Sequence, residues 1–146
     1  MREILFRAKA INRDCKYGYS PNRRSSYKNG DWVYGLITKS YNEEYDFPAE
    51  MRNADGVTGI EVDYKTIGQY IGMMDCNGTK IFEGDIIQDG NCEYNKYVVE
   101  YSPERGGFLP FAHGDGCGCC ETATLYDSTC HKVIGNIYDN PELLKE

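Results

Sequence analysis

Gln69-Tyr70-Ile71-Gly72-Met73-Met74 and Lys80-Ile81-Phe82-Glu83-Gly84-Asp85-Ile86-Ile87-Gln88 are two apolar segments separated by Asp75-Cys76-Asn77-Gly78-Thr79, and their reading decides the fold. Asn77-Gly78 is the strongest short-range hairpin signal, because both central residues of a type I′ turn take positive φ. The two segments are therefore read as a β-hairpin closed by a type I′ turn. Glu83-Gly84-Asp85 inside the second segment predicts a bulge or a sharp bend, where glycine tolerates what other residues cannot.

Upstream of the hairpin, Asp63 is placed to cap a short helical turn beginning near Tyr64, with Thr66 and Gln69 inside it. Tyr41 to Gly56 is polar and acidic, contains Pro48, and reads as a loop. Asp31-Trp32-Val33-Tyr34-Gly35-Leu36-Ile37-Thr38 concentrates aromatic and β-branched residues and reads as a strand, entered through a turn at Asn29-Gly30. Trp32 is expected to anchor a core or a subunit interface rather than serve as a ligand platform. Asn12 to Gly30 is a long polar loop or loose hairpin, and the alternation of Ile4, Phe6, Ala8 and Ala10 makes Glu3 to Ile11 a half-buried first strand.

Downstream, Tyr97 to Tyr101 is a strand, Pro103 to Gly107 a turn, Phe108 to Phe111 the start of a return strand, and Val133 to Tyr138 the last strand. Asn140-Pro141 opens a final helical turn, Pro141 to Lys145, with proline where its missing N–H costs little. No amphipathic helix of ten or more residues emerges. The expected fold is mainly β with very little helix, built from hairpins and curled into a small barrel.

Thirteen tyrosines and 16 glycines against five phenylalanines and one tryptophan fit strands and tight turns. The 146 residues suit a single domain, 1–146, with two β-subdomains, 1–62 and 63–146, as the alternative division. No apolar run reaches the roughly 18 to 20 residues that span a bilayer, and charge interrupts the first seven residues too early for a signal peptide. A cytoplasmic protein without membrane contact is expected.

Residues 1–40 hold nine Lys or Arg against three acids, a net +6, so the remainder carries −13 of a total of −7. An acidic body disfavours general binding to phosphate backbones. The basic stretch has three readings: solvated surface, packing on acidic surface of its own or a neighbouring subunit, or a small nucleic-acid arm using Arg23, Arg24 and Lys28 with tyrosines interleaved.

Seven cysteines, an odd number without a secretion signal, argue for reduced thiols rather than a disulfide framework. Cys117, Cys119 and Cys120, with His113 before them and Cys130 and His131 after them, form the one group with recognisable ligand chemistry. Zinc takes four thiolate or imidazole donors, commonly from Cys-x₂₋₄-Cys pairs. The spacing here is Cys-x-Cys-Cys, and Cys119 and Cys120 would point to opposite faces if extended. The group reads as a zinc site, as redox or regulatory thiols, or as a glycine-rich hairpin tip with inert thiols. A cysteine hydrolase assembled from Cys117, Asp115 and His113 or His131 lacks a nucleophile context, and the acids at Glu83, Asp85 and Asp139 read as turn or surface groups. No catalytic residue is assigned, and no cofactor is expected.

Arg7-Ala8-Lys9, Asp31 to Gly35, Thr66 to Gly72, Asp75-Cys76-Asn77-Gly78 followed by Ile81 to Ile87, and Val133 to Leu144 occur in an order that resembles the YopX family of phage and prophage proteins, over nearly the whole chain. The resemblance implies an SH3-like barrel, a phage or prophage origin in a bacterial host cell, self-association, and no agreed activity. Ala8 stands where the family usually has glycine, and the loop from Asn12 to Asn29 is longer than usual. The resulting expectation is a non-enzymatic β-rich interaction module that forms a homo-oligomer and meets an unidentified phage or host protein. A nucleic-acid-associated regulator and a zinc-stabilised module are the alternatives.

Overall fold

The computed structural model describes residues 1–11, 27–44, 48–89, 92–112 and 131–145, with the backbone alone at 92–94. The protein is mainly β: among the described residues the helical elements are two 3₁₀ turns, Tyr64–Thr66 and Pro141–Leu144. No helix among them is long and apolar enough to cross a membrane. The chain divides into two compact units, Met1–Gln69 and Tyr70–Glu146.

The first unit is an antiparallel sheet of β1 (Phe6–Lys9), β2 (Trp32–Lys39), β3 (Ala49–Asn53) and β4 (Ile60–Val62), in the order β4-β3-β2-β1. The start of β5 (Gly68–Met74) adds to β1 with Phe6 opposite Gln69 and Arg7 opposite Gly68. Alternation turns one residue in two inward. Ala8, Ala10, Val33, Ala49, Met51, Ile60 and Val62 are all buried and form the core of this unit, with Phe6, Tyr27, Ile37, Tyr41, Val57 and Ile67 packed around it.

The expected loop from Tyr41 to Gly56 is corrected here, because β3 lies within it. Ala49 and Met51 point into the core while Glu50 and Arg52 lie on the other face, so the acidic and polar character belongs to one side of a strand. Lys39 Nζ approaches Glu50 Oε1 to 3.8 Å across the β2–β3 pair.

The turn after β4 is tied back to β1. Asp63 caps the first 3₁₀ turn as expected, its Oδ1 accepting from Lys65 N–H at 3.0 Å. The Thr66 hydroxyl donates to the Asp63 carbonyl at 2.7 Å and accepts from Lys9 N–H at 2.8 Å. Asp63 N–H donates to the Lys9 carbonyl at 2.8 Å, Ile11 N–H donates to the Glu61 carbonyl at 2.9 Å, and an isolated bridge pairs Ala10 with Val62. Gln69, expected inside the turn, belongs to β5.

The second unit holds the rest of β5 with β6 (Lys80–Phe82), a three-stranded sheet in the order β11-β7-β8 from β7 (Asp85–Asp89), β8 (Cys92–Val98) and β11 (His131–Asn136), and a hairpin of β9 (Glu100–Ser102) with β10 (Gly107–Leu109). Ile71, Ile81, Ile87 and Val99 form its core with Met73, Tyr97, Phe108, Phe111 and Val133 against them. Sheet pairing is antiparallel and open, and an SH3-like closure is not among the pairings of the described strands.

The β5–β6 hairpin forms where the sequence places it, but its turn differs from type I′. Gly78 N–H donates to the Asp75 carbonyl at 3.0 Å and Asp75 N–H to the Thr79 carbonyl at 2.9 Å, which makes Cys76, Asn77 and Gly78 a three-residue loop. Gly78 takes φ +77° at its end, the position a three-residue hairpin reserves for a left-handed residue. The expected bend at Glu83-Gly84 separates β6 from β7. Gly84 adopts φ +86°, and a Cβ there would come within 3.1 Å of the Tyr138 ring.

The strand expected from Tyr97 to Tyr101 is two strands that part at Val99, whose N–H donates to the Asp85 carbonyl at 2.9 Å and whose carbonyl accepts from Gly84 N–H at 2.7 Å. The last strand ends at Asn136 rather than Tyr138, because Asn136 Oδ1 accepts from Tyr138 N–H at 3.0 Å and Asp139 N–H at 2.9 Å and turns the chain.

Replacing Thr66 with valine keeps the shape but removes the acceptor for Lys9 N–H. A loss of about 1–3 kcal/mol of unfolding free energy is expected, read by urea denaturation. A value within error of zero would show that the hydroxyl does not hold β1 to this turn.

Candidate functional site

Cys117, Cys119, Cys120, Cys130, His113, Arg23 and Arg24 lie outside the described residues. His131 is described and is fully buried at the start of β11, opposite Asp89. It packs edge-on against Phe111 and Tyr97, with ring centroids 5.7 Å and 6.3 Å away. Its carbonyl accepts from Cys76 N–H at 2.9 Å. Among the described residues no group of three or more His, Cys, Asp or Glu is placed to hold a metal. Lys28 is exposed, its N–H donating to Asp31 Oδ2 at 2.8 Å within the Lys28–Asp31 turn.

Beside His131, Asp75 joins the hairpin turn to β11. Oδ1 accepts from Asn77 N–H at 2.8 Å and Thr79 N–H at 2.9 Å, and Oδ2 accepts from Val133 N–H at 2.9 Å. Burial by itself would raise the carboxyl pKa. The N–H groups of Val133, Thr79 and Asn77, with the Thr79 side chain, outweigh that and hold it below its ordinary value of 3.8. The arrangement is structural: a carboxylate saturated by backbone donors has little left to offer a substrate.

Among the described residues, two surface regions combine apolar and charged side chains. In the first unit, the face of the sheet opposite the core carries Trp32, Tyr34 and Leu36 along β2. Register places Lys9 opposite Trp32 and Arg7 opposite Tyr34. The Arg7 guanidinium lies 4.6 Å from the Trp32 ring centroid and Lys9 Nζ 5.4 Å. These cation–π contacts fix Trp32 in place. Trp32 is half-buried and lies outside the core cluster, while Tyr34 and Leu36 are 43% and 47% exposed.

In the second unit, an open cleft of about 450 Å³ runs along the end of β8, past Lys96, Tyr97 and Val98. Glu100 of β9, Arg105 of the β9–β10 turn, and Leu109 with Pro110 at the end of β10 complete its walls. Lys96 Nζ donates to the Leu143 carbonyl at 3.1 Å. The cleft offers two cations, one carboxylate and an apolar wall, a set suited to holding a chain segment.

These features define a small, mainly β protein with open antiparallel sheets among the described residues. The chain matches the family described as YopX protein over residues 6–145, from the first residue of β1 to the end of the final turn, and it belongs to that family. Its fold is similar to that of protein EF1440 from Enterococcus faecalis, a crystal structure with 22% identity that covers 99% of this chain and 100% of its own, at a TM-score of 0.50. That likeness concerns the fold alone. No curated protein matches the chain.

Because the Asp75 carboxyl is held low in the folded state, its contribution to stability is complete above the ordinary carboxylate range and is lost as pH falls through the lowered value. Asp75→Asn leaves one backbone donor facing an amide N–H₂ and is expected to cost about 1–3 kcal/mol at neutral pH. Thermal melts between neutral and acid pH should show the gap between wild type and variant narrowing toward acid. A gap that stays constant would remove the carboxylate's charge from the account.

Proposed function

We propose that this chain is a non-enzymatic interaction module of phage or prophage origin, acting in the bacterial cytoplasm, which self-associates through the outer face of β1 and β2. The observation that carries this reading is the exposed pair Tyr34 and Leu36 beside the clamped Trp32. Tryptophan, tyrosine and arginine are the side chains that most often dominate interface energetics.

A second copy suits the face because the face holds both signs of charge. Lys9 flanks it on β1, where Arg7 is buried against the Trp32 ring, and outward-alternating Glu50 and Glu61 lie opposite each other on β3 and β4. Lys9 stands opposite Trp32 and Glu50 opposite Lys39, at the two ends of β2, so a two-fold axis crossing the β2 row midway would bring Glu50 of one copy toward Lys9 of the other. We also infer that the first unit curls toward the SH3-like form expected of the family. The Ala10–Val62 bridge, which brings β4 beside the end of β1, supports that inference.

Sedimentation equilibrium of the wild type and of Leu36→Glu tests the proposal. The wild type is expected to be a dimer or larger, and the variant to keep its circular dichroism while its dissociation constant rises at least about tenfold, some 1.4 kcal/mol. A monomeric wild type, or a variant that associates equally well, would overturn it.

A further inference from the structure

We propose that the edge of β8 turned away from β7 takes up an extended, carboxylate-bearing peptide as an added strand. In the sheet order β11-β7-β8, β8 pairs on one side only among the described residues. Ile86 stands opposite Val98, Ile87 opposite Tyr97 and Gln88 opposite Lys96. Val99 N–H donates to the Asp85 carbonyl, the next position of the same register. Bonded and non-bonded pairs alternate along an antiparallel ladder, so Tyr97 bonds toward β7 while the N–H and C=O groups of Lys96 and Val98 face the other way.

Among the described residues the cleft is lined by the end of β8 and by no residue of β7, which assigns it to this edge. Its walls include consecutive residues Lys96 to Val98, so it is a groove along a strand rather than a hole between loops. Tyr97 packs against the core, while Lys96 and Val98 share the opposite side by alternation. Across the groove stand Leu109, Pro110 and Arg105. Added strands gain affinity from backbone hydrogen bonds and specificity from side pockets on alternate residues.

Charge selects the occupant. Residues 70–146 contain five Lys or Arg against 13 acids, and two of those five cations, Lys96 and Arg105, line this groove. Lysine on an edge strand discourages indiscriminate pairing. A peptide whose carboxylate meets Lys96 and Arg105 turns that guard into a contact, with the apolar side chain two residues further along against Val98, Leu109 and Pro110. Glu100 at the rim disfavours a peptide that is acidic at every position. The groove belongs to the second unit and shares no residue with the self-association face, so either proposal can fail alone.

The test uses the full chain and a fluorescein-labelled synthetic peptide of repeating glutamate-threonine-valine-threonine, which puts glutamate and valine on one face, followed by fluorescence anisotropy. Saturable binding is expected, weakened by salt. It should fall at least about tenfold, equivalent to 1.4 kcal/mol, with Arg105→Glu, with lysine in place of glutamate in the peptide, and with N-methylation of alternate peptide amides. Arg105 is exposed on a turn, so its variant keeps the fold. Absence of saturable binding to the wild type overturns the proposal. Binding indifferent to N-methylation overturns strand addition, and binding indifferent to Arg105→Glu overturns the groove as its site.

Discussion

Buried side-chain oxygens that accept backbone N–H groups hold this chain together at the points where its strands stop. The strands run from three to eight residues, and each end leaves amides that no ladder partner can reach. An unsatisfied buried N–H costs as much as a lost hydrogen bond, so a fold with many strand ends must find acceptors elsewhere. Thr66 takes the Lys9 amide, Asp75 takes three amides from the hairpin turn and β11, Asp85 takes the Phe82 amide at 2.8 Å, and Asn136 takes two amides at the end of β11. All four are buried, which is why they are polar residues in otherwise apolar surroundings. The hydrophobic clusters give each unit its mass. These oxygens fix where the chain turns.

Turns of this kind are written locally, and that part of the fold was legible. Asp63 before Tyr64, Asn77-Gly78 and Glu83-Gly84-Asp85 each announce a break, and each break is present. The hairpin was found but its turn was read one residue out of register, because the Asp75 side chain competes for the amides of Asn77 and Thr79 and draws the loop to three residues. The strand β3 is masked in the sequence by its outward glutamate and arginine, which give the whole segment a polar character. The alternation of Ala49 with Met51, facing Ile60 and Val62, was the available signal. The split at Val99 had no local signal: its amide and carbonyl are claimed by Asp85 and Gly84, residues that only the folded chain brings opposite.

The candidate surfaces were legible unevenly for the same reason. Trp32 stands out from composition alone, but it lies outside the core cluster, and the cations above its ring come from β1, more than twenty positions away in sequence. The groove along β8 was invisible in the sequence. Its walls come from β8, β9, the following turn and the end of β10, and the property that matters, which side of β8 is turned away from β7, depends on register rather than residue type.

The distribution of charge distinguishes the two surfaces as binding sites. On the sheet of the first unit, Arg7 and Lys9 are committed to the Trp32 ring and acids share the same outward side, so the face presents apolar surface bordered by both signs. In the proposed self-association, charge alignment sets orientation while Tyr34 and Leu36 supply the area. In the second unit, two of few cations line one groove in an otherwise acidic set of residues. A second copy of that groove would bring lysine toward lysine, whereas a carboxylate on an extended segment would meet both cations at once. The two proposed surfaces therefore differ in kind: the first carries apolar side chains between opposite charges, and the second carries two cations beside an apolar wall.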